Sequence, residues 1–331
     1  MDNKKLKYYL QHGYRGSISG VLAILWPNFI NNYEAIKTLS LIKKTSDTQN
    51  SNQTVSLESF TWKNTHAENI KIILNEYHLE SMYATIVHGS ISTNEIVNYS
   101  DFDGILIIDE SKINSVSELK LLRQLIIRTE LEMMKMDALQ HHGWQIILKS
   151  EMSNYYDSTF PLLLMRKGKS LFHEHSKLNF YVNPENQNYK IGFSNLKISI
   201  LKKITSGEFK NNFYTFKNFI SELLLIPALY YQALNNDPIF KKDSFEWIEN
   251  NLEKKYYSIF VDLSELRANW KQGEVDESKE RLANKLKLLK IVSKQFRTKL
   301  PARYKEWLNP IRKEMLLQTL DEMTNKIDLK N

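Results

Sequence analysis

Two aspartates one residue apart, Asp101 and Asp103, stand at the head of the apolar run Gly104-Ile105-Leu106-Ile107-Ile108. Alternate side chains of a strand share a face, so Asp101 and Asp103 point one way and Phe102 the other. Two carboxylates on one face repel each other unless a cation lies between them. Oxygen ligands of this kind suit magnesium, which is commonly held by one or two carboxylates together with substrate phosphates. Upstream, the β-prone run Tyr83-Ala84-Thr85-Ile86-Val87 leads through His88 into Gly89-Ser90. A small turn there lets backbone N–H groups come close to a phosphate. The order is strand, Gly-Ser turn, ten-residue loop, Asp-x-Asp strand.

This arrangement over Met82 to Asp109 resembles the DNA polymerase β-like nucleotidyltransferase superfamily. His88 before the glycine departs from the hydrophobic residue more usual there. The resemblance implies nucleotidyl transfer, moving NMP from an NTP to a hydroxyl. In that chemistry Asp101 and Asp103 hold Mg²⁺, while Gly89 and Ser90 hold the β- and γ-phosphates. It also implies a third carboxylate on a strand beside the pair. Asp137, between Met136 and Ala138, is the expected residue, with Glu151 as the alternative. The helical segment that follows resembles that of small bacterial nucleotidyltransferases, in which a lysine near a helix start meets the triphosphate. Lys242 is the nearest match and Lys241 the second. ATP is the expected NTP. The acceptor is left open among a small molecule, tRNA and protein, including the tRNA- or protein-directed enzymes that act as toxins or in phage defence. A catalytically inactive nucleotide- or RNA-binding module on the same fold is the reading from another class.

The elements that must position these residues can be placed by periodicity. Asn64 or Thr65 caps a helix to about Tyr77, and Ser115 or Ser117 caps a long helix through Met134, with Glu118 three residues beyond Ser115 as in a capping box. Asp137 to Leu148 leads into another strand. From about Gln187 the pattern becomes helical: 196–204, a long segment 213–234 kinked at Pro227, a turn at 235–238, then helices from Lys241, over 276–298 and over 308–326. The expected class is α+β, with a small mixed sheet flanked by helices and then an all-α bundle. The expected divisions are an N-terminal helical extension with linker at 1–60, a catalytic domain at 61–185 and a helical domain at 186–331. The stretch Thr45 to Thr54 has no apolar residue and reads as linker.

Other candidates carry less. Gly16-Ser17 has no Asp-x-Asp at a useful distance and reads as a turn. His141-His142 would point to opposite strand faces and reads as structural or substrate-contacting rather than as a metal pair. His173-Glu174-His175 reads as surface. The 331-residue chain is 42% hydrophobic and has no cysteine, which leaves no disulfide framework and no thiolate metal site and fits a reducing cytoplasm. No run approaches the roughly 18 apolar residues of a membrane span, and the first residues lack a signal-peptide pattern. The net charge is +7, and Asp276 to Lys313 alone holds twelve Lys or Arg against four Asp or Glu. That basic stretch suits RNA contact or a solvated helix face.

Overall fold

The computed structural model describes residues 3–11, 34–42, 51–61, 63–137, 139–140, 142–171, 176–271 and 299–330. The Gly16-Ser17 turn, His141, His173-Glu174-His175 and the helix expected over 276–298 lie outside the described residues, together with most of the basic stretch.

The architecture is α+β, with a small mixed sheet followed by helices. Its strands are β1 (Gln53–Ser56), β2 (Glu58–Ser59), β3 (Met82–His88), β4 (Asp103–Ile108), β5 (Gln145–Leu148), β6 (Lys169–Ser170) and β7 (Lys177–Phe180). The main sheet has the order β2-β6-β3-β4-β5, and β1 pairs separately with β7. Strands β3 and β4 are antiparallel, with His88 opposite Asp103, and β5 lies parallel to β4, with Gln145 opposite Ile105.

Alternation along the strands sorts the two faces. Val87, Phe102, Leu106, Ile108 and Ile146 pack with helices α1 (Asn3–Gln11), α2 (Thr65–Tyr77) and α3 (Val116–Met136). Ile86, Ile105, Ile107 and Ile147 pack on the other side, against Val55, Met165, Leu178 and Phe180. Helix α2 starts where Asn64 accepts from the backbone N–H groups of His66 and Ala67. Helix α3 starts where Ser115 accepts from Glu118 N–H. Glu118 in turn accepts from Asn114 N–H rather than from Ser115.

Residues 51–59 belong to these sheets, not to a linker. Gln53 and Thr54 already lie in β1, which pairs with β7 far along the chain, so a division at residue 60 cuts through paired strands.

The helical part comprises α4 (Tyr189–Ser206), α5 (Phe213–Leu223), α6 (Ile226–Asn235), α7 (Lys241–Asn251), α8 (Lys254–Ala268) and α9 (Pro310–Leu329). The segment expected as one kinked helix is two helices. Pro227 has no N–H to donate, and it sits in the first turn of α6, where helices leave such donors unbonded anyway. The helical core is aromatic: Phe213, Phe216, Trp270 and Tyr304 stack on one another at 4.8–6.2 Å. Two residues from the sheet part, Tyr99 and Leu139, join this cluster. They flank the Asp-x-Asp pair and His142, so the helical part is packed directly against the segments that carry the site.

Candidate active site

Alternation carries the face of Ile105 and Ile107 back to Asp103 and Asp101. Phe102 goes to the opposite face, fully buried edge-on against Trp144 at 5.9 Å. Packing of that one ring therefore fixes which way both carboxylates point. The residue between them is also held by Gln140, whose side chain accepts from Phe102 N–H and donates to Phe102 C=O, both at 2.9 Å. The same amide nitrogen lies 2.9 Å from the carbonyl of His142.

His142 completes the cluster. Its Nε2 lies 3.2 Å from Asp101 Oδ2 and 3.2 Å from Asp103 Oδ1. One ligand atom from each of the three residues falls within 4.8 Å of the others, close enough for a single metal ion. Burial alone would lower the imidazole pKa, but hydrogen bonds and charge from Asp101 and Asp103 raise it to about 10. The cation between the carboxylates is therefore the protein's own imidazolium, and a metal bound here takes the place of that proton. The donor set fits a divalent ion. The oxygens are ligands that magnesium takes, and the nitrogen adds affinity for manganese or zinc. His88 lies opposite Asp103. Burial holds it below its usual range, and the charges of Asp103 and Asp101 offset this only in part.

The Gly-Ser turn lies against the same carboxylate. Gly89 has φ +69° and opens the short helical turn Gly89–Ser92. Its carbonyl accepts from Ser92 Oγ at 2.9 Å. Gly89 is exposed and Ser90 half-buried, so the turn is open to a ligand.

Asp137 does not join this cluster. It is the C-cap of α3 rather than a strand residue. Its Oδ2 accepts from Lys217 Nζ at 2.6 Å and its Oδ1 from Leu139 N–H at 3.0 Å, with both members of the ion pair essentially inaccessible to water. The carboxylate expected as a metal ligand and base is instead spent on tying the sheet part to α5. Glu151 does not replace it. It follows the far end of β5, accepts from Leu148 N–H and pairs with Lys7 at 2.5 Å. The length of β4 alone puts that end about 16 Å from Asp103.

Lys242 is likewise displaced. It is exposed and paired with Glu95 at 2.9 Å. Lys241, half-buried at the first position of α7, is the lysine that senses the site. Burial and the charge of Arg267 lower its pKa to about 8, and Asp101 and Asp103 pull against that shift. Arg267, near the end of α8, also acts electrostatically on Tyr99 and Glu95. Lys241 of the helical part is thus within electrostatic reach of the two carboxylates, and Arg267 in turn acts on Lys241.

The sequence missed Arg267 and Gln140, read His142 as structural or substrate-contacting rather than as a metal ligand, and preferred the neighbour of Lys241. No pattern in the sequence marks His142: the register of β5, continued back from Gln145 opposite Ile105, would set it opposite Phe102, and the turn ahead of β5, where Gln140 bonds the His142 carbonyl, carries its ring to the pair instead.

The chain matches no family model and no curated protein.

Proposed function

We propose that this chain is a divalent-metal-dependent nucleotidyltransferase that moves NMP from an NTP, ATP first among them, onto a hydroxyl of a small molecule, tRNA or protein. The observation that carries this reading is the convergence of Asp101, Asp103 and His142 on one point beside the open Gly89-Ser90 turn. A bound divalent ion would polarise the α-phosphate and lower the pKa of the attacking hydroxyl. Asp101 and Asp103 are its oxygen ligands, and His142 is its nitrogen ligand once deprotonated. The backbone at Gly89 and the Ser90 hydroxyl are placed to hold phosphate oxygens, and Lys241 and Arg267 supply positive charge against the triphosphate. Positioning and charge neutralisation then supply most of the rate.

One observation favours a second reading, an inactive nucleotide-binding module on the same scaffold. Asp137 is locked to Lys217, so among the described residues no third carboxylate joins the pair to accept the attacking hydroxyl's proton.

The test is transfer of label from each of four α-labelled NTPs, with Mg²⁺ or Mn²⁺, into RNA, protein or small-molecule pools. The Asp101→Ala/Asp103→Ala double variant runs beside the wild type. Transfer that disappears in the variant supports the enzyme. Metal-dependent NTP binding without transfer supports the module, and loss of both rejects the two together.

A further inference from the structure

On the other side of β3 from the carboxylates lies a second feature that nucleotidyl transfer does not yet use. Val87 pairs with Gly104 of β4 across one edge and with Lys169 of β6 across the other. Two interstrand spacings, about 10 Å, separate those neighbours. At the β6 edge is a cavity of about 430 Å³, lined by Ser92 and Thr93 from the end of the Gly-Ser turn and by Arg166, Lys167, Lys169 and Glu58.

The charge of this cavity is unbalanced. Lys169 is neutralised by its ion pair with Glu58. Among the described residues Arg166 bonds only the neutral amide oxygen of Gln53, at 2.7 Å, which leaves most of its N–H donors for other acceptors. Lys167 lies over the ring of Phe240 at 3.6 Å, a contact that orients its ammonium without cancelling the charge. Phe240 directly precedes Lys241, so Lys167 also packs on the helical part at the start of α7. Two uncompensated cations beside a Gly-Ser turn match a compact, doubly charged oxyanion. An arginine fork and a lysine are the usual partners of such a group.

We propose that the cavity formed by Arg166, Lys167, Ser92 and Thr93 binds a phosphate group. It deepens the nucleotidyl-transfer reading, and depends on that reading only for which molecule carries the phosphate. The carrier is either the nucleotide, through its terminal phosphate, or a phosphorylated acceptor.

Calorimetric titration of the full chain with inorganic phosphate, AMP and ATP, all in EDTA, tests this without involving the metal ligands. The Arg166→Gln/Lys167→Gln variant replaces two exposed side chains, and its melting temperature shows whether it folds. The expected result is phosphate binding by the wild type that weakens about tenfold or more in the variant. A matching loss for ATP but not AMP assigns the cavity to the nucleotide's terminal phosphate. Retained ATP affinity assigns it to the acceptor's phosphate. No phosphate binding by the wild type, or unchanged phosphate affinity in a folded variant, overturns the proposal. The Asp101→Asn/Asp103→Asn variant keeps the two readings apart, because it should retain phosphate binding even if transfer is never observed.

Discussion

Asp103 Oδ2 lies 2.2 Å from the point that a β-carbon on Gly89 would occupy. The turn and the carboxylate thus fit together only because residue 89 has no side chain, and φ +69° at the same position favours glycine independently. Gly89→Ala is expected to cost about 1–2 kcal/mol in backbone strain. It should also push the Asp103 carboxylate off its line to Asp101 and His142. Divalent-ion affinity should fall by more than the stability change accounts for. Parallel thermal melts and Mn²⁺ titrations of the variant check this, and a variant that melts early yet binds metal normally contradicts it.

The mixed donor set makes a prediction about which ion is held. Imidazole adds affinity for manganese and little for magnesium, whereas carboxylates serve both. The wild type should therefore bind Mn²⁺ more tightly than Mg²⁺. His142→Ala should narrow that ratio, chiefly by weakening Mn²⁺. Competition titration of the two ions against each protein gives the ratio directly. An unchanged ratio would show that His142 is not a ligand.

The buried pair Asp137–Lys217 is the main polar tie between the sheet part and α5. Tyr99 adds to it, donating to the Lys217 carbonyl at 3.2 Å and sharing a 2.6 Å hydrogen bond with the Ser221 hydroxyl. Removing one member of a fully buried pair strands the other charge, at a cost of about 3–5 kcal/mol. Lys217→Met should lower stability by that order. Lys242→Ala, which breaks a fully exposed and solvent-screened pair, should leave it close to the wild type. Denaturant unfolding of the two variants compares them, and equal small effects would show that the pair is not a structural tie.

Much of the site was legible because it is local. The Gly-Ser turn, the Asp-x-Asp alternation and the caps at Asn64 and Ser115 depend on residues within a few positions of one another. Each of these stands as read, with the Ser115 box altered by Asn114. Misreadings arose where long-range packing decides. The triplet Met136-Asp137-Ala138 resembles a strand start, but Asp137 ends α3 because its partner, Lys217, lies 80 residues away. The linker reading of residues 45–54 failed at its end because the polar Gln53 and Thr54 open β1, which is held by pairing with β7 and by the buried Val55 just beyond. His142 looked unsuited to metal when adjacent histidines were taken as strand neighbours. It precedes β5, in an irregular turn whose backbone Gln140 holds, and that turn rather than strand alternation brings it to the aspartates.

Acid should loosen the contact between α2 and α3 at Glu132. Burial alone would raise the pKa of this carboxyl, but hydrogen bonds from Asn69, Lys135 and His66 hold it below the ordinary carboxylate range. A depressed folded-state pKa adds stability above the unfolded value, about 4.3, and that stability is lost as pH falls through the lower folded value. Glu132→Gln should therefore melt below the wild type at pH 7, with the gap closing below about pH 4. Melting curves of both proteins between pH 3 and 7 measure the gap, and a gap independent of pH would rule out the ionised carboxylate as its source.

Adjacent lysines on α7 make opposite predictions for nucleotide binding. Lys241 is half-buried and carries its charge close enough to Asp101 and Asp103 for them to act on its pKa. Lys242 points to solvent and is already occupied by Glu95. A triphosphate held at the Gly89-Ser90 turn, as proposed, would meet the first and not the second. Replacing a charged hydrogen-bond donor at such a contact costs about 1.5–3 kcal/mol. Lys241→Gln should therefore weaken ATP binding by one to two orders of magnitude, roughly, with AMP little affected. Lys242→Gln should leave both near the wild-type value. Fluorescence titration of each variant with the two nucleotides separates them, and a loss confined to Lys242→Gln would move the triphosphate to the outer face of the helix.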